Sequence, residues 1–154
     1  MQEISIEDWS KCLAVLDLKA AKRYCRQLDI PDDVLSVSSQ LQLALVDWIS
    51  HLGVFTDTVV LEVVRTFRPC IEGLAEDLEN TDDISVFTFV ICDGRYVSCS
   101  TRETFFDADL FEDVEELPGY SVTHLMCDVT QLYSRMRYRL AKIQVTPSTE
   151  TEHA

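Results

Sequence analysis

The sequence predicts an α+β chain in three parts. A bundle of about six short helices fills residues 1–80, a small mixed strand and helix segment with a hairpin at 84–100 fills 81–145, and a disordered polar tail runs over 146–154. Three observations predict this. Apolar residues recur at helical spacing up to Asn80; from Ile84 to Ile91 they form an unbroken β-branched and aromatic run; and Asp93-Gly94 then offers a tight turn.

Ser5 with Asp8 marks a first helix whose face is Ile6, Trp9, Leu13 and Leu16. Asp17 caps a second, with Leu18, Ala21, Tyr24, Cys25 and Leu28 on its apolar face. Pro31, Asp32 and Asp33 suit the first turn of a short third helix through Val34 and Leu35. Helix formers from Ser39 predict a central buried helix with Leu41, Leu45, Trp48 and Leu52 on one stripe and Gly53 as its stop. Thr56 or Asp57 caps a fifth helix through Phe67, although Thr58-Val59-Val60 also suits a strand. Pro69 opens a sixth, which ends in the acidic linker 79–83.

In the second part, a two-residue turn at Asp93-Gly94 sets Ile91 opposite Tyr96 and Val90 opposite Val97. Asp107 caps a short acidic helix to Leu117, and residues 120–126 read as a third strand. Asp128 with Gln131 starts a last helix carrying Leu132, Tyr133, Met136, Leu140 and Ile143.

A net charge of -14 and a pI near 4.4 disfavour a phosphate-holding role, because nucleic-acid binding runs on Lys and Arg. The charge is concentrated: residues 72–116 hold fourteen acidic side chains against Arg95 and Arg102. The expected partner is therefore another protein, met through complementary charge. Two surfaces are candidates for that contact. One is the basic side of the second helix, Lys19, Lys22, Arg23 and Arg26; the other is the acidic helix with Asp107, Asp109, Glu112, Asp113 and Glu116. A plain solvated face is the ordinary reading of either.

The six cysteines form no C-x-x-C pair and stand at no zinc spacing from His51, His124 or His153, so neither a metal nor a disulfide framework is expected. No secretory leader or run of about 18 apolar residues is seen, which makes the cytosol, or the nucleus, the expected compartment and a membrane partner unexpected. With four glycines and no phosphate loop, no cofactor is expected either. For nucleophilic catalysis the candidates reduce to Cys92, beside the tight turn, and His124 downstream. Their separation in sequence carries no signature, and a hairpin cysteine with a structural histidine is the ordinary reading, so the chain reads as non-enzymatic.

The run Trp9, Leu13, Leu16, then Leu18-Lys19-Ala20-Ala21-Lys22-Arg23-Tyr24-Cys25 into Ile30-Pro31-Asp32-Asp33-Val34-Leu35, resembles a death-effector or death domain. Leu41 to Gly53 and the helices from Thr58 to Leu78 continue the resemblance, which covers about half the chain. It implies six packed helices and an adaptor or regulator in cell-death or innate-immune signalling, or a pathogen's interference with it. Two motifs depart from that family. The Arg-x-Asp-Leu motif of its last helix is replaced by Arg68-Pro69-Cys70-Ile71, and its Phe-Leu docking pair by Arg23-Tyr24, so filament-type assembly is not implied. The alternative resemblance, in size, acidity and mixed structure, is to type III secretion chaperones, which implies a homodimer holding an unfolded segment.

Overall fold

Ser5 begins the first helix as its spacing predicts: its hydroxyl accepts the Asp8 amide at 3.2 Å and α1 runs Ile6–Ser10. The computed structural model describes residues 3–53, 55–80, 87–92, 96–101 and 124–145. The predicted acidic helix from Asp107, the turn at 93–95 and the tail at 146–154 lie outside them.

Helix α1 is shorter than the apolar spacing to Leu16 suggests. Beyond it the chain turns, because the Asp47 carboxylate takes the amides of Ala14, Val15 and Leu16 at 2.8, 2.9 and 3.0 Å. Those amides would otherwise have bonded within a longer helix. Leu18–Gln27 then forms α2, capped by Asp17, whose Oδ1 accepts the Ala20 amide at 2.7 Å. Its end is a Schellman turn, with Asp29 at φ 56 and the Ile30 amide on the Cys25 carbonyl at 2.9 Å.

The predicted third helix is absent. Val34–Leu35 is a strand, β2, paired antiparallel with β1, Ile4–Ser5. Ser36 already caps the next helix, leaving no room for a helical turn after Asp33, whose carbonyl accepts the Ile6 amide at 2.9 Å. Helix α3, Val37–His51, is the central element expected: Leu41, Leu43, Leu45, Val46 and Ile49 are all fully buried, and Gly53 at φ 69 stops it.

The predicted fifth and sixth helices are one. Helix α4, Asp57–Asn80, passes straight through Pro69. Buried Val60, Val64, Phe67, Ile71, Leu74 and Leu78 alternate at four and three residues across it, so one apolar stripe spans both halves. Pro69 and Arg65, whose carbonyl loses its donor, are both exposed, so water can satisfy that carbonyl. Helicity also prevails at Thr58-Val59-Val60, where packing overrides β-propensity.

Strands β3, Phe87–Cys92, β4, Tyr96–Thr101, and β5, His124–Asp128, form an antiparallel sheet in the order β4-β3-β5. The hairpin register differs by one residue from the expected one. Cys92 pairs with Tyr96 and Ile91 with Val97. In this register Ile91, Phe89, Val97 and Cys99 fall on one face, whereas the slipped register would set Ile91 and Phe89 beside Tyr96 and Ser98. One-sided burial outweighs the two-residue turn.

Asp128 caps the last helix as expected, its Oδ1 accepting the Gln131 amide at 2.9 Å. This helix, α5, Val129–Val145, buries Val129, Tyr133, Met136 and Leu140 in the same core as α1 to α4. The Tyr133 hydroxyl donates to Gln40 Oε1 at 3.3 Å, its ring lies 6.1 Å from that of Trp9, and Arg139 donates to the Cys12 carbonyl at 3.2 Å. The molecule is thus α+β, with the last helix completing the core that the first half begins.

Pro69→Ala is expected to stabilise the chain by about 1–3 kcal/mol, since an interior proline costs roughly 3 kcal/mol. A thermal melt checks this. The midpoint should rise by several degrees, at about 2–4 °C per kcal/mol; a fall would show that Pro69 ends a helix.

Candidate functional site

Apolar spacing orients α2. Ala21, Tyr24, Cys25 and Leu28 are buried, which leaves Lys19, Arg23 and Arg26 exposed and Lys22 half-buried. The structure divides this basic set in two. Lys22 pairs with Glu7 at 3.2 Å and Arg23 with Asp57 at 3.6 Å, while Lys19 and Arg26 form no ion pair among the described residues. They stand seven residues, two turns, apart on one face.

The pairing of Arg23 belongs to a small polar tie between α2 and α4. The buried Tyr24 hydroxyl donates to Asp57 Oδ1 at 2.7 Å, and the Arg23 guanidinium lies 5.1 Å from the Tyr24 ring centre. Burial, and then the Asp57 carboxylate, push the Tyr24 phenol above its ordinary range, so it stays a donor. The Glu7 carboxyl sits below its ordinary range, held first by its own backbone amide and then by Lys22. Both ion pairs are largely exposed, so each contributes roughly 0–1 kcal/mol.

From α4, Arg65 donates to the Gln27 carbonyl at 2.6 Å and Arg68 to the Leu28 carbonyl, while Arg68 Nε reaches Gln42 Oε1 at 3.3 Å. Two cations thus close the negative end of α2. Sequence reasoning missed them, because each meets a carbonyl about forty residues away. Arg68 is also the one residue kept from the death-effector motif, and here it binds a helix end.

The second expected surface, with Asp107, Asp109, Glu112, Asp113 and Glu116, lies outside the described residues. Among the described residues no group of three or more His, Cys, Asp or Glu side chains is placed to hold a metal ion. No helix there is long and apolar enough to cross a membrane. Cys12 and Cys25 are buried thiols; burial pushes both up, Cys25 to about 11. Cys92 and His124, remote in sequence, are brought together as directly opposed register partners on β3 and β5.

No protein-family model, curated protein or solved structure matches this chain.

The raised values of Cys25, Cys12, Tyr24 and Tyr133 share one consequence. The unfolded chain gives up these protons first, so their contribution is complete below the ordinary thiol value of 9.0 and is lost as pH rises toward about 11. The denaturant midpoint should hold steady up to about pH 8.5 and fall beyond it. A flat profile to pH 11 would contradict the buried thiols and phenols.

Proposed function

We propose that this chain is a non-enzymatic adaptor or regulator that binds another protein through the basic face of α2. The observation that supports it is the division of that face. Lys22 and Arg23 are spent on Glu7 and Asp57, while exposed Lys19 and Arg26 have no ion pair among the described residues and so present two cations to an acidic partner. On a chain of net charge -14, such a face sets the orientation of an incoming acidic surface and repels a basic one. The resemblance of the first half to a death-effector or death domain extends the proposal to cell-death or innate-immune signalling, or its inhibition by a pathogen, acting in the cytosol or nucleus. The acidic segment with Asp107, Asp109, Glu112, Asp113 and Glu116 is the second proposed contact, for a basic partner.

Binding of an acidic peptide, a labelled glutamate-rich 12-mer, tests the α2 face. Wild type should bind at low salt and weaken as ionic strength passes about 0.15 M, where the Debye length is about 8 Å. Lys19→Glu with Arg26→Glu should lose at least about tenfold in affinity, with an unchanged melting point. Lys22→Gln, at a residue already paired, should lose less than about threefold. Equal losses in both variants would contradict the division of the face. A salt-resistant dimer by light scattering would instead favour the chaperone-like reading.

A further inference from the structure

The sheet places one cysteine unlike the others. Residues directly opposed in an antiparallel ladder share a face, and alternate residues along each strand share it too. Cys99 and Cys127 are both register partners of Phe89, on the face that also holds Ile91, Val97 and Leu125. Cys92 is the register partner of Tyr96 on one side and His124 on the other, on the face that also holds Ser98, Ser100 and Asp128. The first set is the apolar one. The pattern therefore assigns Cys92 and His124 to the polar face.

Cross-strand partners have Cβ atoms about 4.5–5.5 Å apart, a span that a thiol and an imidazole can close. We propose that Cys92 and His124 act as a thiol and its base, making Cys92 a reactive cysteine that exchanges with low-molecular-weight disulfides. This site stands apart from the α2 face and does not rest on the proposed adaptor role.

The exchange balances. The Cys92 proton passes to the His124 imidazole, the thiolate attacks one sulfur of the disulfide, and a new sulfur–sulfur bond forms as the old one breaks. The second sulfur leaves as a thiolate and takes the proton back from the imidazolium. The surrounding charges bear on the thiolate from two sides. Strands β3 and β4 carry no Lys, Arg, Asp or Glu, and Tyr96 and Asp128 are the other titratable residues of the face. Helix α5, packed against β3 and β5, carries Arg135, Arg137, Arg139 and Lys142 with no acidic residue and favours a thiolate; α4, packed against β4, carries Glu72, Glu76, Asp77 and Glu79 and opposes it. Among the other described thiols, Cys12 and Cys25 are 1% and 0% exposed and held protonated by burial, and Cys70 is half-buried without a histidine at its side.

Site-resolved mass spectrometry of iodoacetamide labelling across pH tests the pair on the full chain, with oxidised glutathione as the second probe. Cys92 should label at least about tenfold faster than Cys12 or Cys25 at neutral pH, with a rate midpoint below the free-thiol value of about 8.5. It should also be the first site to form a glutathione mixed disulfide. His124→Gln should return the midpoint to about 8.5 and slow labelling severalfold, with Cys12 and Cys25 still protected as evidence of folding. His124→Asn serves where the first variant loses that protection. A wild-type midpoint at or above about 8.5 would overturn the proposal by itself, and so would a midpoint that His124→Gln leaves unmoved.

Discussion

A buried carboxylate organises the first half of this molecule. Asp47, 5% exposed on the central helix α3, faces three consecutive amides of the α1 to α2 connection. Leaving a carboxylate in the interior without partners would cost several kcal/mol, and leaving three amides unbonded would add to that. Each group answers the other's need. Hydrogen bonds to a charged group contribute about 1.5–3 kcal/mol net, so the set is comparable to the whole stability margin of a small domain. The consequence is geometric: α1 stops early, the chain turns, and Asp17 is delivered to cap α2 at a set angle to α3.

The orientation of α2 follows from that turn, and the basic face follows from α2. Once Tyr24 is buried and bonded to Asp57, Arg23 falls beside the same carboxylate and Lys22 beside Glu7 on α1. Lys19 and Arg26 are the cations left over. The far end of α2 is closed from α4 by Arg65 and Arg68, so the helix is gripped at both ends and cannot rotate its charged side inward. Helix α5 completes the same core through Tyr133 and Met136, which ties the sheet to the helices.

What the sequence made legible was local. The caps at Ser5, Asp17 and Asp128 and the stop at Gly53 each involve groups within about three residues, so composition in a short window suffices to see them. The misreadings came where a distant group or a longer stripe decides. Asp47 acts on residues more than thirty positions earlier, and no window links them. The stripe from Val60 to Leu78 does run unbroken through Pro69 in the sequence, but a proline at helical spacing reads as a boundary. The hairpin register shows the same conflict, between a favourable two-residue turn and the separation of apolar from polar faces. Of the site, the four basic residues of α2 were visible, but their division by Glu7 and Asp57 was not. The opposition of Cys92 and His124 was hidden as well, since it depends on the one-residue register and on β5.

The most direct test of the central role of Asp47 is hydrogen exchange at the amides of Ala14, Val15 and Leu16, comparing wild type with Asp47→Asn. In wild type these amides should exchange no faster than those of α3, because their release requires loss of the buried carboxylate and with it the core. In the variant they should exchange by local opening while α3 keeps most of its protection. Fast exchange in wild type, at the rate of an open loop, would show that the carboxylate does not hold the turn and would contradict the account.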